Sequence, residues 1–149
     1  MSRMKWFESK QQGVVIVSLG HGDLLRENLC QVAREADIHT GVLMTGIGSL
    51  TFGRIHIVTS NDMPAPIETW DIEGPLEVVG FRGLIINYQP HIHISMLDKV
   101  GKYYGGHLED GCRILTVSEI SILRLPDIRL VRTFRDGNEV ELLDWEKQA

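Results

Sequence analysis

Three of the chain's six histidines fall within the stretch Pro90 to His107, PHIHISMLDKVGKYYGGH. Neutral imidazole is a good donor to divalent transition metals, so spacing decides whether the rings can share one ion. His91 and His93 lie two apart among the apolar residues Ile92, Ile94 and Met96, and on a strand such a pair points to one face. His107 joins them only if the intervening turn allows it. Asp98 and Gly101 suit the first and last positions of a type I turn. With Gly101 left-handed and a three-residue loop from Lys99 to Gly101, the pairing centre falls on Val100 and His93 faces His107. Any odd-length loop keeps His107 on the pair's face, whereas a two-residue loop turns it away. Three imidazoles with one position left open is a common design for a catalytic or ligand-binding zinc site. His91, His93 and His107 are therefore the expected metal ligands and zinc the expected ion, with nickel, copper and iron also compatible. The competing account makes them half-buried histidines satisfied by backbone carbonyls or a subunit contact. A metal-bound water would be acidified enough to support hydrolysis, with Glu77 or Glu119 as candidate general base. A glutamate on an apolar strand is more often a structural ion-pair partner.

The elements that must position these rings are mostly strands. Val14 to Leu19 is a continuous apolar run and reads as a buried strand. Gly20-His21-Gly22 turns the chain, and Asp23 is placed to cap a helix over Leu24 to Ala36, whose apolar positions Leu25, Leu29, Val32, Ala33 and Ala36 follow helical spacing. Gly41 to Leu50 and Thr51 to Ser60 read as strands joined through a bend or bulge at Gly46-Ile47-Gly48-Ser49. Gly46, Gly48 and Ser49 are candidates to line a small-ligand pocket, although the segment lacks the glycine fingerprint or lysine of a phosphate loop. Alternation along Arg54 to Thr59 places His56 on a solvent or subunit face. Asn61 to Pro66 is a loop, Ile67 to Ile72 a strand edge, and Leu76 to Asn87 a strand interrupted by bulges at Gly80 and Gly83. Cys112 to Leu125 is a long strand. Asp136-Gly137 between Ile128 to Arg135 and Glu139 to Leu143 predicts a closing hairpin. Many strands with one helix imply a single α+β domain, mostly antiparallel, with the helix on one sheet face. A single helix is little cover for so much apolar strand, so a homo-oligomer is expected.

Composition narrows the partners. A formal charge of -5 argues against nucleic-acid binding by bulk electrostatics. The two cysteines, Cys30 and Cys112, form no CxxC motif and suggest neither a disulfide framework nor a zinc ribbon. The first residues lack the apolar run of a signal peptide, and no stretch approaches a membrane span, so the expected compartment is the cytosol.

Four segments, in order, resemble one family. Gly22-Asp23-Leu24 resembles its GxDL opening, and Val42 to Ile55 its strand, GxG and strand segment. Gly74 to Gly83 (GPLEVVGFRG) resembles its protein-contact block, and Gly101 to Gly106 (GKYYGG) with the run to Glu119 resembles its G-x-x-x-G-G segment and final strand. From about Gly13 to Leu143 the chain thus resembles the PPC (plants and prokaryotes conserved) domain. That resemblance implies a single α/β domain with an antiparallel sheet, assembled as a homotrimer. Plant members join the domain to an AT-hook that grips the DNA minor groove, and use the domain for trimer and partner-protein contacts. Here no such hook is present, and Pro75 replaces the arginine of the contact block, leaving Leu76, Glu77 and Val78 as its partner-contact candidates. His91, His93 and His107 resemble the HxH and GGH pattern of stand-alone prokaryotic members. The expected function is a homotrimeric metal-binding module; the alternatives are a DNA-associated regulatory scaffold and a metal-dependent hydrolase or small-ligand-binding protein.

Overall fold

A computed structural model describes residues 3–9, 11–134, 137 and 139–147. In chain order the elements are β1 (Lys5–Ser9), β2 (Val14–Gly20), α1 (Leu25–Glu35), β3 (Thr40–Val58), β4 (Ile67–Ile86), β5 (Gln89–Asp98), β6 (Tyr103–Leu108), β7 (Arg113–Arg124), β8 (Leu130–Thr133) and β9 (Leu142–Trp145). All pairings are antiparallel, and the main sheet runs β1-β2-β7-β3-β4-β5-β6. This is the mostly antiparallel sheet with one helix that the patterning implies.

Two strands are far longer than the sequence suggests. β3 has 19 residues and β4 has 20, and they pair from Thr40↔Ile86 at one end to Val58↔Ile67 at the other. Neither the expected bend at Gly46-Ile47-Gly48-Ser49 nor a break after Ile72 occurs. The bulge alternative holds: on the β7 side register shifts fall between Leu43 and Thr45 and between Gly48 and Leu50, the second at Ser49 within the expected segment. Close packing accounts for Gly48, where an added Cβ would lie 2.8 Å from Ser118 Oγ. A bulge does fall at Gly80, but Gly83 stays in register opposite Ile92. Bulged strands bend, and β3 therefore reaches round to pair Ile55 and His56 with Leu108 and His107 of β6. Strands β3, β4, β5 and β6 close into a ring.

Asp23 does not cap α1. The N-cap position is Leu24, whose N–H donates to Asn28 Oδ1 (3.1 Å), while Asp23 accepts from the N–H groups of Arg3 (3.0 Å) and Gly20 (2.9 Å). It ties the first residues to the turn after β2. The helix packs on β2 and β5, burying Leu25, Leu29, Val32 and Ala33 in one core with Val15, Val17, Leu19, Ile85, Ile92, Ile114 and Ile122. On the opposite face of the sheet Ile16, Met44, Ile47, Val79 and Val117 stay exposed.

The two arms expected on either side of Asp136-Gly137 pair as β8 and β9. Leu130 pairs with Trp145 and Thr133 with Leu142. The pair is fixed at its base, where Leu130 N–H donates to Thr40 Oγ1 and Glu146 N–H to the Arg129 carbonyl. Asp136 lies outside the described residues.

Candidate metal centre

The turn after β5 fixes the geometry of the histidines. Gly101 takes φ 84°, its N–H donates to the Asp98 carbonyl (3.0 Å), and Asp98 Oδ1 accepts from Val100 and Lys102 N–H (2.9 Å each). Those backbone donors, Lys102 first, hold the Asp98 carboxyl below its ordinary range. Leu97 pairs with Tyr103 and His93 with His107, the register of a three-residue loop. Ring centroids of His91, His93 and His107 consequently lie 4.7 Å (His91–His107), 5.7 Å (His93–His107) and 5.8 Å (His91–His93) apart.

Two further groups join them. His56 stacks on His107 with centroids 4.3 Å apart, brought there by the β3–β6 pairing. The expected solvent or subunit face is wrong for it, because β6 lies alongside β3 at that point. Glu109 Oε1 accepts from His56 Nδ1 and lies 3.2 Å from His107 Nδ1. The second contact is close enough for an ion pair but poorly aligned for a hydrogen bond, and His107 Nδ1 is otherwise a buried atom without a partner. Among the described residues the set of three donors whose atoms all fall within 4.8 Å of one another is His56, His107 and Glu109, and the expected ligands His91 and His93 stand outside it. A carboxylate facing two Nδ1 atoms favours protons there, which leaves the Nε2 lone pairs of both rings available. Glu109 was visible in the sequence: it stands two residues after His107, the same spacing as His91 and His93.

Two of the cluster's imidazoles, His91 and His107, are biased towards the neutral form. Burial first, then the Arg132 charge and the neighbouring histidines, lower His91 to about 4. Burial and then His56 also lower His107, opposed by Glu109. Neutral imidazole is the form that ligates metal. Beside the cluster opens a cavity of about 360 Å³, lined by Arg26, Gln89, His91, His107, Arg132 and Glu141 among others.

The remaining candidates lie elsewhere. Glu77 pairs with Leu97, four residues along β5 from His93 and so roughly 13 Å away at strand rise. Glu119 pairs with Ile47 on the exposed apolar face. Neither lines the histidine cavity. Ser49 Oγ bonds Thr116 Oγ1 (2.6 Å) and accepts from Thr116 N–H, so its hydroxyl serves the β3–β7 contact. Gly46 lines shallow depressions with Phe81 and with Ile120 that hold no histidine, and Gly48 lies against Ser118. Leu76 and Val78 are buried in the core and cannot meet a partner, which leaves Glu77 alone exposed among the three.

A bulged antiparallel sheet with one helix and a histidine cluster on a hairpin defines an α+β domain of the mostly antiparallel kind. Residues 7–126 match the Plants and Prokaryotes Conserved (PCC) domain, and the chain belongs to that family. It is 27% identical over 113 residues to the bifunctional protein GlmU of a Synechococcus strain, and spans 17% of that protein's length. Among solved structures it is similar to a protein from Bacteroides thetaiotaomicron provisionally assigned as DNA-binding (TM-score 0.80, 18% identity, 97% of this chain and 99% of the other). It is also similar to a metal-containing protein from Archaeoglobus fulgidus (TM-score 0.75, 21% identity, 99% of this chain and 100% of the other). At these identities the likeness is one of fold.

Proposed function

We propose that the protein is a homotrimeric metal-binding module in which His91, His93 and His107 hold one divalent transition ion, with zinc favoured by an all-imidazole donor set. The observation that carries this reading is the convergence of three rings on one hairpin face, with centroids no more than 5.8 Å apart. Glu109 acts from behind His107 as an orienting carboxylate, and His56 shares that carboxylate. The metal-containing neighbour of the same fold supports the reading. When bound, the ion would supply Lewis acidity at the cavity mouth. Burial favours the neutral form of His91 and His107.

Elemental analysis of untagged protein, purified without added metal, tests the assignment. About one equivalent of a transition metal per chain is expected, and its loss in the His91→Ala/His93→Ala variant. Full occupancy in that variant would overturn the ligand set.

The provisional DNA-binding assignment of one neighbour favours a second reading, a DNA-associated scaffold. The charge of -5 weighs against it, and a low-salt gel-shift titration without retarded duplex would remove it as an activity of this chain alone.

A further inference from the structure

The cavity beside the histidines carries a cation, Arg132, that no described carboxylate pairs with. Arg26 on its wall is paired with Asp110 (2.6 Å). Arg132, on β8, has no ion-pair or hydrogen-bond partner among the described residues. Glu141 lines the same cavity without an ion pair to Arg132. Among the described residues the wall therefore presents one guanidinium without an ion pair, partly offset by one carboxylate, next to His91 and His107. Its chemistry fits a singly charged planar anion better than a doubly charged one, since a guanidinium matches a carboxylate in a two-point fork and Glu141 opposes added negative charge. A cavity of about 360 Å³ is of the size that takes a small molecule.

We propose that this cavity is the receptor for a small organic carboxylate, held by Arg132 with its remaining oxygens turned towards the histidine cluster. Arg132 is here a binding residue. The proposal deepens the metal-site reading, but the anion contact does not need the metal.

Isothermal titration of glycolate, its neutral counterpart glycolamide and inorganic phosphate into the zinc-loaded and the metal-free protein tests this. Glycolate should bind both forms, more tightly when zinc is present, and glycolamide should bind neither appreciably. Arg132→Gln should weaken glycolate binding about tenfold or more, the loss of a charged hydrogen-bonding pair, with zinc content unchanged. Glu141→Gln should tighten it. Glycolate binding that depends on Arg132 in protein that takes up no zinc would sink the metal reading and leave the carboxylate site standing. Equal binding by wild type and Arg132→Gln, tighter binding of phosphate than of glycolate, or no glycolate binding in either form would each overturn the proposal.

Discussion

At the scale of single residues, the site is organised by Glu109, whose one oxygen faces two imidazoles. Glu109→Gln keeps the shape but removes the charge that faces both Nδ1 atoms. Zinc affinity should fall about ten- to a hundredfold, as for other outer-shell partners of metal-bound histidine, measured by competition with a chromophoric chelator. An unchanged affinity would show that Glu109 does not orient His107. The metal-free protein should also respond to acid. An unfolded histidine takes its proton near 6.5, whereas His91 in the fold resists until about 4. Between those values the unfolded chain binds more protons, so stability is complete above pH 6.5 and declines as the pH falls towards 4. His91→Gln should flatten that decline in urea titrations across the window. The HxH spacing and the Asp98–Gly101 turn could be read along the chain because both are local. His56 could not, since its place beside His107 depends on β3 reaching β6 across about a third of the sequence.

At the scale of elements, the β5–β6 hairpin sets which way His107 faces. Gly101 stands at φ 84°, and a Cβ there would meet nothing within 4 Å. The cost of Gly101→Ala is therefore backbone conformation alone, about 1–2 kcal/mol, readable from denaturant unfolding. Gly48→Ala should be destabilising for the opposite reason, because its Cβ would press on Ser118 Oγ at 2.8 Å and the Val117 carbonyl at 3.1 Å. The same contrast explains a misreading of the sequence. Glycine at 101 marks a turn, while glycine at 46 and 48 marks close packing between strands, and composition alone does not separate the two. Asp23 is a similar case. Its position before an apolar helix suggests a cap, but the first residues of the chain compete for its carboxylate and win.

At the scale of the whole molecule, the helix covers one sheet face and leaves the other with an unpartnered apolar surface. Ile16, Met44, Ile47 and Val79 come from three different strands and are each about half exposed. Scattered exposed aliphatics are ordinary in a monomer; several together on one sheet face mark a surface that is buried by association. The long strands were legible as apolar runs, and so was the shortage of helix to cover them. Their continuity through Gly46 and Pro75 was not, because it is fixed by pairing partners distant in sequence. A charge placed in the middle of this surface should discriminate between the two states. Ile47→Asp puts an unpaired carboxylate where a second copy would desolvate it, at a cost that Coulombic partners on this apolar face cannot offset. Light scattering coupled to size-exclusion chromatography should give a trimer for the native chain and a monomer for Ile47→Asp, with the zinc content of each chain retained because the histidines lie on the β5–β6 hairpin. A native chain that elutes as a monomer at micromolar concentration would refute the assembly, and loss of zinc on dissociation would mean that a neighbouring subunit completes the site.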